Sequence, residues 1–457
     1  MSAFEKEICR KGDLARMTMQ GASASNGSRR VIRRVLLTLA LPLCFRTFQF
    51  FPGMMYVQEA WFVLSLLMVL LFYPYLKIRG GLRVSRFEIY LAILMFGGTS
   101  LATFRANQVF GQPLAYGLLS QRAIVLIGVW LLFADLLRSG MLTARDVEAS
   151  LICLAWGTFV LFSTMRLLLV PADFTAYSEG FVTRAMVGTE PSFKLQEFFI
   201  LFGVFYYATK GLRSRRGKYY FAAAILFPAA LGSSGRGLAI SVVATIVFVI
   251  YRSRGVWGAT FVIGKSAVVA AAFLGAAFAI FPNPLHTRIA GFSNAFAVVF
   301  TGAPTQDPSA NSRIFETLAA LPYIQQHLFL GNGVISNQWQ GGSGAAMGSY
   351  FFASDIGFLG IIFAYGILGF LLYGWQYRLA WRAANQLRDC VQYPLLDATK
   401  AFVLFSAFFS IVTGICVWSA EVTLFFVALI SGLASRELEE DSSHVEIGDQ
   451  WRRHKPA

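Results

Sequence analysis

The chain has 457 residues, 56% of them hydrophobic and 14% charged, with a mean hydropathy of +0.59. About a quarter of the residues in a soluble globular domain are charged, so this composition excludes that class. The net charge of +15 does not point to nucleic acid, because the basic residues gather in the connections between apolar runs.

Residues 1–33 form a polar tail with Lys6, Arg10, Lys11, Arg16, Arg29 and Arg30. No A-x-A-like site follows a short apolar stretch, so the first run is expected to be a retained membrane helix. From there, apolar runs of helix-spanning length predict about twelve spans. They fall near 34–53, 57–76, 87–104, 115–137, 149–170, 194–209, 218–232, 237–251, 259–281, 349–374, 399–417 and 420–435. The predicted fold is an all-α integral membrane protein. A membrane domain covers 34–435, one large loop (282–348) separates the ninth and tenth helices, and a polar tail occupies 436–457. Cys9, Cys44, Cys153, Cys390 and Cys416 are scattered without a CxxC, which indicates neither a disulfide framework nor a zinc site.

Most of the 39 Lys and Arg sit in one set of connections. By the positive-inside rule that face is cytoplasmic, together with both termini, and the loop lies on the opposite face, the periplasm of a bacterial cell. The exceptions are Arg46, Arg105, Arg122, Arg166, Arg184, Lys194, Arg236, Lys265, Arg288 and Arg313. A charge inside a span costs about 2.5–3.5 kcal/mol on insertion scales, so such residues pair or line a functional cavity. One reading pairs them with Glu59, Glu190, Glu197, Asp355 or Glu421. The other reads them as a group that holds an anionic ligand on the outer face.

Two stretches carry the second reading. The turn Gly232-Ser233-Ser234-Gly235-Arg236 joins two short apolar runs, Tyr219–Gly232 and Leu238–Tyr251, and would present Arg236 in a shielded pocket. A guanidinium is always charged and grips phosphate oxygens in pairs. In the long loop, ANSRIFETLAALPYIQQHLFLGNG has helical spacing at Ile314, Leu318 and Leu321. Asn311 or Ser312 could cap that helix, Arg313 would lie in its first turn, and Pro322 would kink or divide it. His327 closes the pattern. The following run, with Gly331, Gly333, Gly341, Gly342, Gly344 and Gly348, reads either as a loop that closes over substrate or as a connector.

SSGRG at 233–237, Arg313, HLFLGNG at 327–333 and SDIGFLGIIFAYGILG at 354–369 together resemble the O-antigen ligase and polymerase superfamily. These are bacterial inner-membrane glycosyltransferases that use undecaprenyl-diphosphate-linked sugars. The resemblance runs from about residue 190 to residue 430. It implies that Arg236 and Arg313 hold the diphosphate of the lipid-linked donor; the charge reading above adds Arg166, Arg184 and Arg288 as further anion contacts. His327 stands where the family often has a His before Pro, although Leu328 replaces the Pro here. Met347-Gly348-Ser349-Tyr350 stands where ligases carry a His-Asn pair, which points to a polymerase of O-antigen or exopolysaccharide repeat units. The implied chemistry is inverting glycosyl transfer without metal or cofactor. Asp355 is the nominated base, with Glu190 behind it, and Tyr350 and Trp339 are candidates to stack on sugar rings. The expected partners are lipid-linked oligosaccharides, the bilayer, and chain-length regulator and flippase proteins, with no nucleic acid. The alternatives are a ligase of the same fold and a lipid-linked oligosaccharide flippase.

Overall fold

In hydrocarbon, backbone N–H and C=O groups must pair within the segment, so apolar sequence of this length folds as helix. The computed structural model describes residues 28–79, 84–174, 182–183, 192–193, 195–231, 236–280, 308–348, 351–387 and 394–435. Among them the strands are β1 (Val182–Thr183) and β2 (Ser192–Phe193), one antiparallel pair. The other regular elements are helices. In order they are α1 (28–44), α2 (Met54–Arg79), α3 (Arg86–Phe110), α4 (Leu114–Ser120), α5 (Ile124–Arg138), α6 (Ala144–Leu168), α7 (Phe198–Ser214) and α8 (Gly217–Leu231). They continue with α9 (Arg236–Ile280), α10 (Pro308–Gln326), α11 (Gly342–Met347), α12 (Gly357–Gln386), α13 (Pro394–Thr413), α14 (Ile415–Trp418) and α15 (Ala420–Ser435). A 3₁₀ turn at Pro171–Phe174 follows α6, and another at Ala353–Ile356 leads into α12.

Among the described residues, six helices are long and apolar enough to cross a membrane, or seven if the α4–α5 pair, bent by 50°, is one span. Such helices fit a lipid bilayer and a multi-pass membrane protein. The single span expected at 115–137 is thus a broken one. The run expected at 420–435 is a 16-residue-scale helix at the centre of the bundle, apolar all round and buried from Val422 to Ile430. Phenylalanine fills the space around it. Phe426 stacks on Phe402 with centroids 4.1 Å apart and on Phe202 at 5.6 Å, and Phe425 meets Trp130 at 5.0 Å. α7 packs against α6, α8 and α13, and α9 and α12 also pack on α13. By contrast α2 turns Leu66, Leu67, Leu70, Leu71 and Phe72 outward, a contiguous apolar surface suited to lipid.

Several charges inside the bundle are paired. At one end, Lys77 bridges Glu88 (2.7 Å) and Asp135 (3.1 Å), and Arg138 joins both acids. Ser85 and Glu88 form a reciprocal capping box that starts α3 and fixes the Glu88 carboxylate. Removing one partner from a buried network strands the rest without compensation. Lys77→Met is therefore expected to lower stability by about 3–5 kcal/mol, read as a lower midpoint in thermal unfolding of the purified protein in detergent.

At the opposite ends of the same helices the chain departs from the loop expected of a Gly-rich run. α12 is broken at Gly366 (φ 66°, ψ −173°), which frees backbone groups on both sides of the break. The segment 327–333 satisfies them. Asn332 N–H and Gly333 N–H donate to the carbonyls of Phe363 and Ala364, while Ile367 N–H and Leu368 N–H donate to Leu328 and Phe329. Asn332 is fully buried and its side-chain amide donates to the carbonyls of Tyr323 and Phe363. Arg105 Nε on α3 donates to the Gly331 carbonyl at 3.0 Å. Residues 331–333 are buried bundle backbone, neither a mobile cover nor a solvated connector.

α10 also differs from its expected form. It starts at Pro308, so Asn311 and Ser312 lie inside it and do not cap it, and Arg313 sits in its second turn, not its first. Pro322 does not divide it. That residue is exposed, so the hydrogen bond its ring removes faces away from the bundle.

Candidate active site

The end of the bundle that carries 327–356 is where the sequence-nominated residues meet. Two close approaches bring their elements together. A Cβ at Gly237, the second residue of α9, would press on Val412 of α13, and a Cβ at Gly357, which opens α12, would strike the Ile411 carbonyl. The start of α9, and with it the backbone of Arg236, therefore lies at the same end of α13 as the turn holding Asp355. α10 packs on both that 3₁₀ turn and α12, which adds Arg313. Of Arg236 the backbone alone is described; Arg184, Glu190, Arg288, Tyr350 and the turn at 232–235 lie outside the described residues.

The arginines singled out in the sequence divide into two kinds. Arg46 pairs with Glu421 at 2.5 Å, Arg122 grips both Glu59 oxygens, and Arg166 pairs with Glu197 at 2.5 Å and donates to the Ala229 carbonyl. For these three the pairing reading describes the geometry, and Arg166 is held by its own carboxylate in place of an open anion contact. Arg105 is satisfied by the Gly331 carbonyl and Gln108. Arg313 differs: half-exposed on α10, its guanidinium makes no ion pair and no side-chain hydrogen bond among the described residues.

Beside Arg313 lies a pair of acids. Asp355 is half-buried in the 3₁₀ turn and accepts from the Ser354 hydroxyl at 3.2 Å. Glu316, one turn along α10 from Arg313, is 5% exposed, and its Oε2 has no hydrogen-bond partner among the described residues. Burial and then the neighbouring Asp355 charge push the Glu316 carboxyl up to about 7, against weaker lowering by the Phe352 N–H and by Arg313. A carboxyl brought up to about 7 by burial and a neighbouring acid is a candidate for moving a proton. The sequence alone does not nominate Glu316. The signal for its role is the tertiary contact between α10 and the 352–355 segment, which local spacing does not encode.

His327 is half-buried at the end of α10, and its backbone accepts from Gly331 N–H. Its place in the structure is at the docking of 327–333 on α12. The backbone carbonyl of Trp339 closes the turn before α11, accepting from Gly342 N–H at 2.7 Å.

A cavity of about 410 Å³ adjoins the acids, walled by Phe351, Phe352, Ala353 and Ser354 on one side and by Val334–Gln338 on another. Among the described residues no group of three His, Cys, Asp or Glu side chains stands close enough to hold a metal ion. Among the described residues the site thus offers a guanidinium without an ion pair, the Glu316 carboxyl raised to about 7 beside Asp355, and a cavity of mixed polar and apolar lining next to them. Compared with models of known protein families and with curated proteins, the sequence matches none.

Proposed function

We propose that this chain is a membrane glycosyltransferase that polymerises undecaprenyl-diphosphate-linked oligosaccharide repeat units on the periplasmic face of the bacterial inner membrane. The observation that carries the reading is Arg313, unpaired beside the Glu316–Asp355 pair, at the rim of an apolar helical bundle. The topology with both termini cytoplasmic, about twelve spans and the loop at 282–348 outside belongs to the same proposal.

The reaction needs two things from the protein. The acceptor hydroxyl oxygen attacks the anomeric carbon, the bond from that carbon to the diphosphate oxygen breaks, and the electron pair leaves with the diphosphate. Arg313, with Arg236 and the loop arginines Arg184 and Arg288, stabilises the charge developing on that diphosphate, as preorganised cations do best. The hydroxyl proton passes to a carboxylate, for which Glu316 is suited because burial and the Asp355 charge bring its carboxyl up to about 7, near the working pH. Asp355 then acts through Glu316, holding its affinity high.

The test in cells is a profile of lipid-linked intermediates extracted from a strain whose own copy is replaced by Arg313→Ala. Single repeat units on undecaprenyl diphosphate, with protein level unchanged and no long polymer, are the expected result. Long lipid-linked polymer left unattached would make the chain a ligase. Intermediates trapped on the cytoplasmic leaflet would make it a flippase.

A further inference from the structure

The cavity beside the acids differs in chemistry from the arginine site. Its walls present hydroxyls and amides (Ser120, Ser336, Asn337, Gln338) together with the rings of Phe352 and Trp418. The one charged side chain that lines it, Arg122, is neutralised by its two-oxygen grip on Glu59. A diphosphate would find no free cation there. A neutral ligand rich in hydroxyls, with flat C–H faces for the rings, would find both kinds of contact.

Hydrogen-bonding capacity at this surface is also unspent. The side chains of Asn337 and Gln338 are exposed and make no hydrogen bond within the described residues. The Trp418 ring lines the same wall, its Nε1 turned inward and without a partner among the described residues. By contrast the Ser336 hydroxyl already accepts from Gln338 N–H, and the Ser336 N–H is anchored to Gln112 at 2.7 Å, so the 336–338 backbone is fixed. Preformed concave sites with a few convergent polar groups are where small polar ligands bind.

We infer that this cavity is the subsite for the neutral sugar at the growing or incoming acceptor end, held by the Asn337 and Gln338 amides against the rings of Phe352 and Trp418. Its wall at Phe352–Ser354 is continuous with the segment that contacts Glu316 and carries Asp355, so a sugar seated there directs a hydroxyl at the acids. The inference rests on the glycosyltransferase reading for its role, and on the cavity alone for its ligand class.

The experiment uses the full-length purified protein and, as probe, the reducing oligosaccharide released by mild acid from the lipid-linked repeat units of the same cells. Binding of the probe is followed by saturation-transfer NMR, and polymerisation by the KM for each substrate. The double variant N337A/Q338A lies on exposed side chains and leaves the backbone anchors intact, so it is expected to keep its elution profile. Trp418→Phe keeps an aromatic ring but a smaller one, losing the five-membered ring of the indole. Each variant should weaken probe binding and raise the acceptor KM by about tenfold, while the lipid-linked donor KM stays within about twofold. Unchanged acceptor KM, or a rise confined to the donor, would overturn the subsite while leaving the polymerase reading in place. Probe binding that the variants abolish, in a protein with no polymerising activity, would uphold the sugar site and overturn the activity. A wild-type protein that does not bind the probe at all would overturn the subsite.

Discussion

Gly333→Ala is expected to prevent recovery of folded protein, because both its backbone and its surroundings reject a side chain. Its φ of 89° lies where L-residues are strained, and a Cβ would run into the Ala106 nitrogen and Ala102 carbonyl of α3. Those obstacles are helix backbone and have no rotamer to change. Strained backbone and overpacking each cost about 1–3 kcal/mol, a large part of a typical stability of about 5–15 kcal/mol. Gly366→Ala should behave alike, since a Cβ there meets the Phe329 carbonyl and φ is 66°. Gly374, on the same helix, has nothing within 4 Å of an added Cβ. Gly374→Ala should be neutral or slightly stabilising. Detergent-extracted yield by fluorescence size-exclusion, followed by thermal unfolding, separates the three. A Gly333→Ala protein that melts with the wild type would contradict the docking of 327–333 into α3 and α12.

The second large effect concerns Glu316. Glu316→Gln should reduce turnover by about 10²–10⁴-fold, the range ascribed to a positioned acid or base. The wild-type rate should rise with pH through about 7, as the Glu316 carboxyl ionises. In Asp355→Asn that limb should move to lower pH, because one of the two causes that raise the Glu316 carboxyl is removed, while burial remains. Stability changes in the opposite sense. A carboxyl that holds its proton more tightly folded than unfolded stabilises the fold below its unfolded value, and that contribution is lost as pH rises toward 7. Glu316→Gln should flatten this slope. A Glu316→Gln enzyme with a wild-type rate and the same pH limb would remove Glu316 from the chemistry.

How much of this was legible in the chain depends on range. The helical, membrane-embedded character follows from composition and run length, and the pairing of anomalous arginines with Glu59, Glu197 and Glu421 was one of two readings that charge costs alone allow. Local spacing also found the helix after Pro308 and the separate importance of HLFLGNG and SDIGFLGIIFAYGILG. It could not show that these two stretches hydrogen-bond to each other, since residues 328–333 and 363–368 meet only in the folded bundle. Nor could it show the Glu316–Asp355 contact, where a tertiary neighbour and burial, rather than residue type, set the proton affinity. Pro322 misled for a related reason. Its cost in a helix depends on which side the missing bond faces, and that side is fixed by packing on α12.

The central claim is tested most directly by the purified protein in liposomes supplied with one lipid-linked repeat unit as both donor and acceptor. The account predicts a ladder of lipid-linked products that lengthens with time and is lost in Arg313→Ala. Unconsumed repeat units with the wild-type protein, under conditions where it elutes as folded protein, would contradict it.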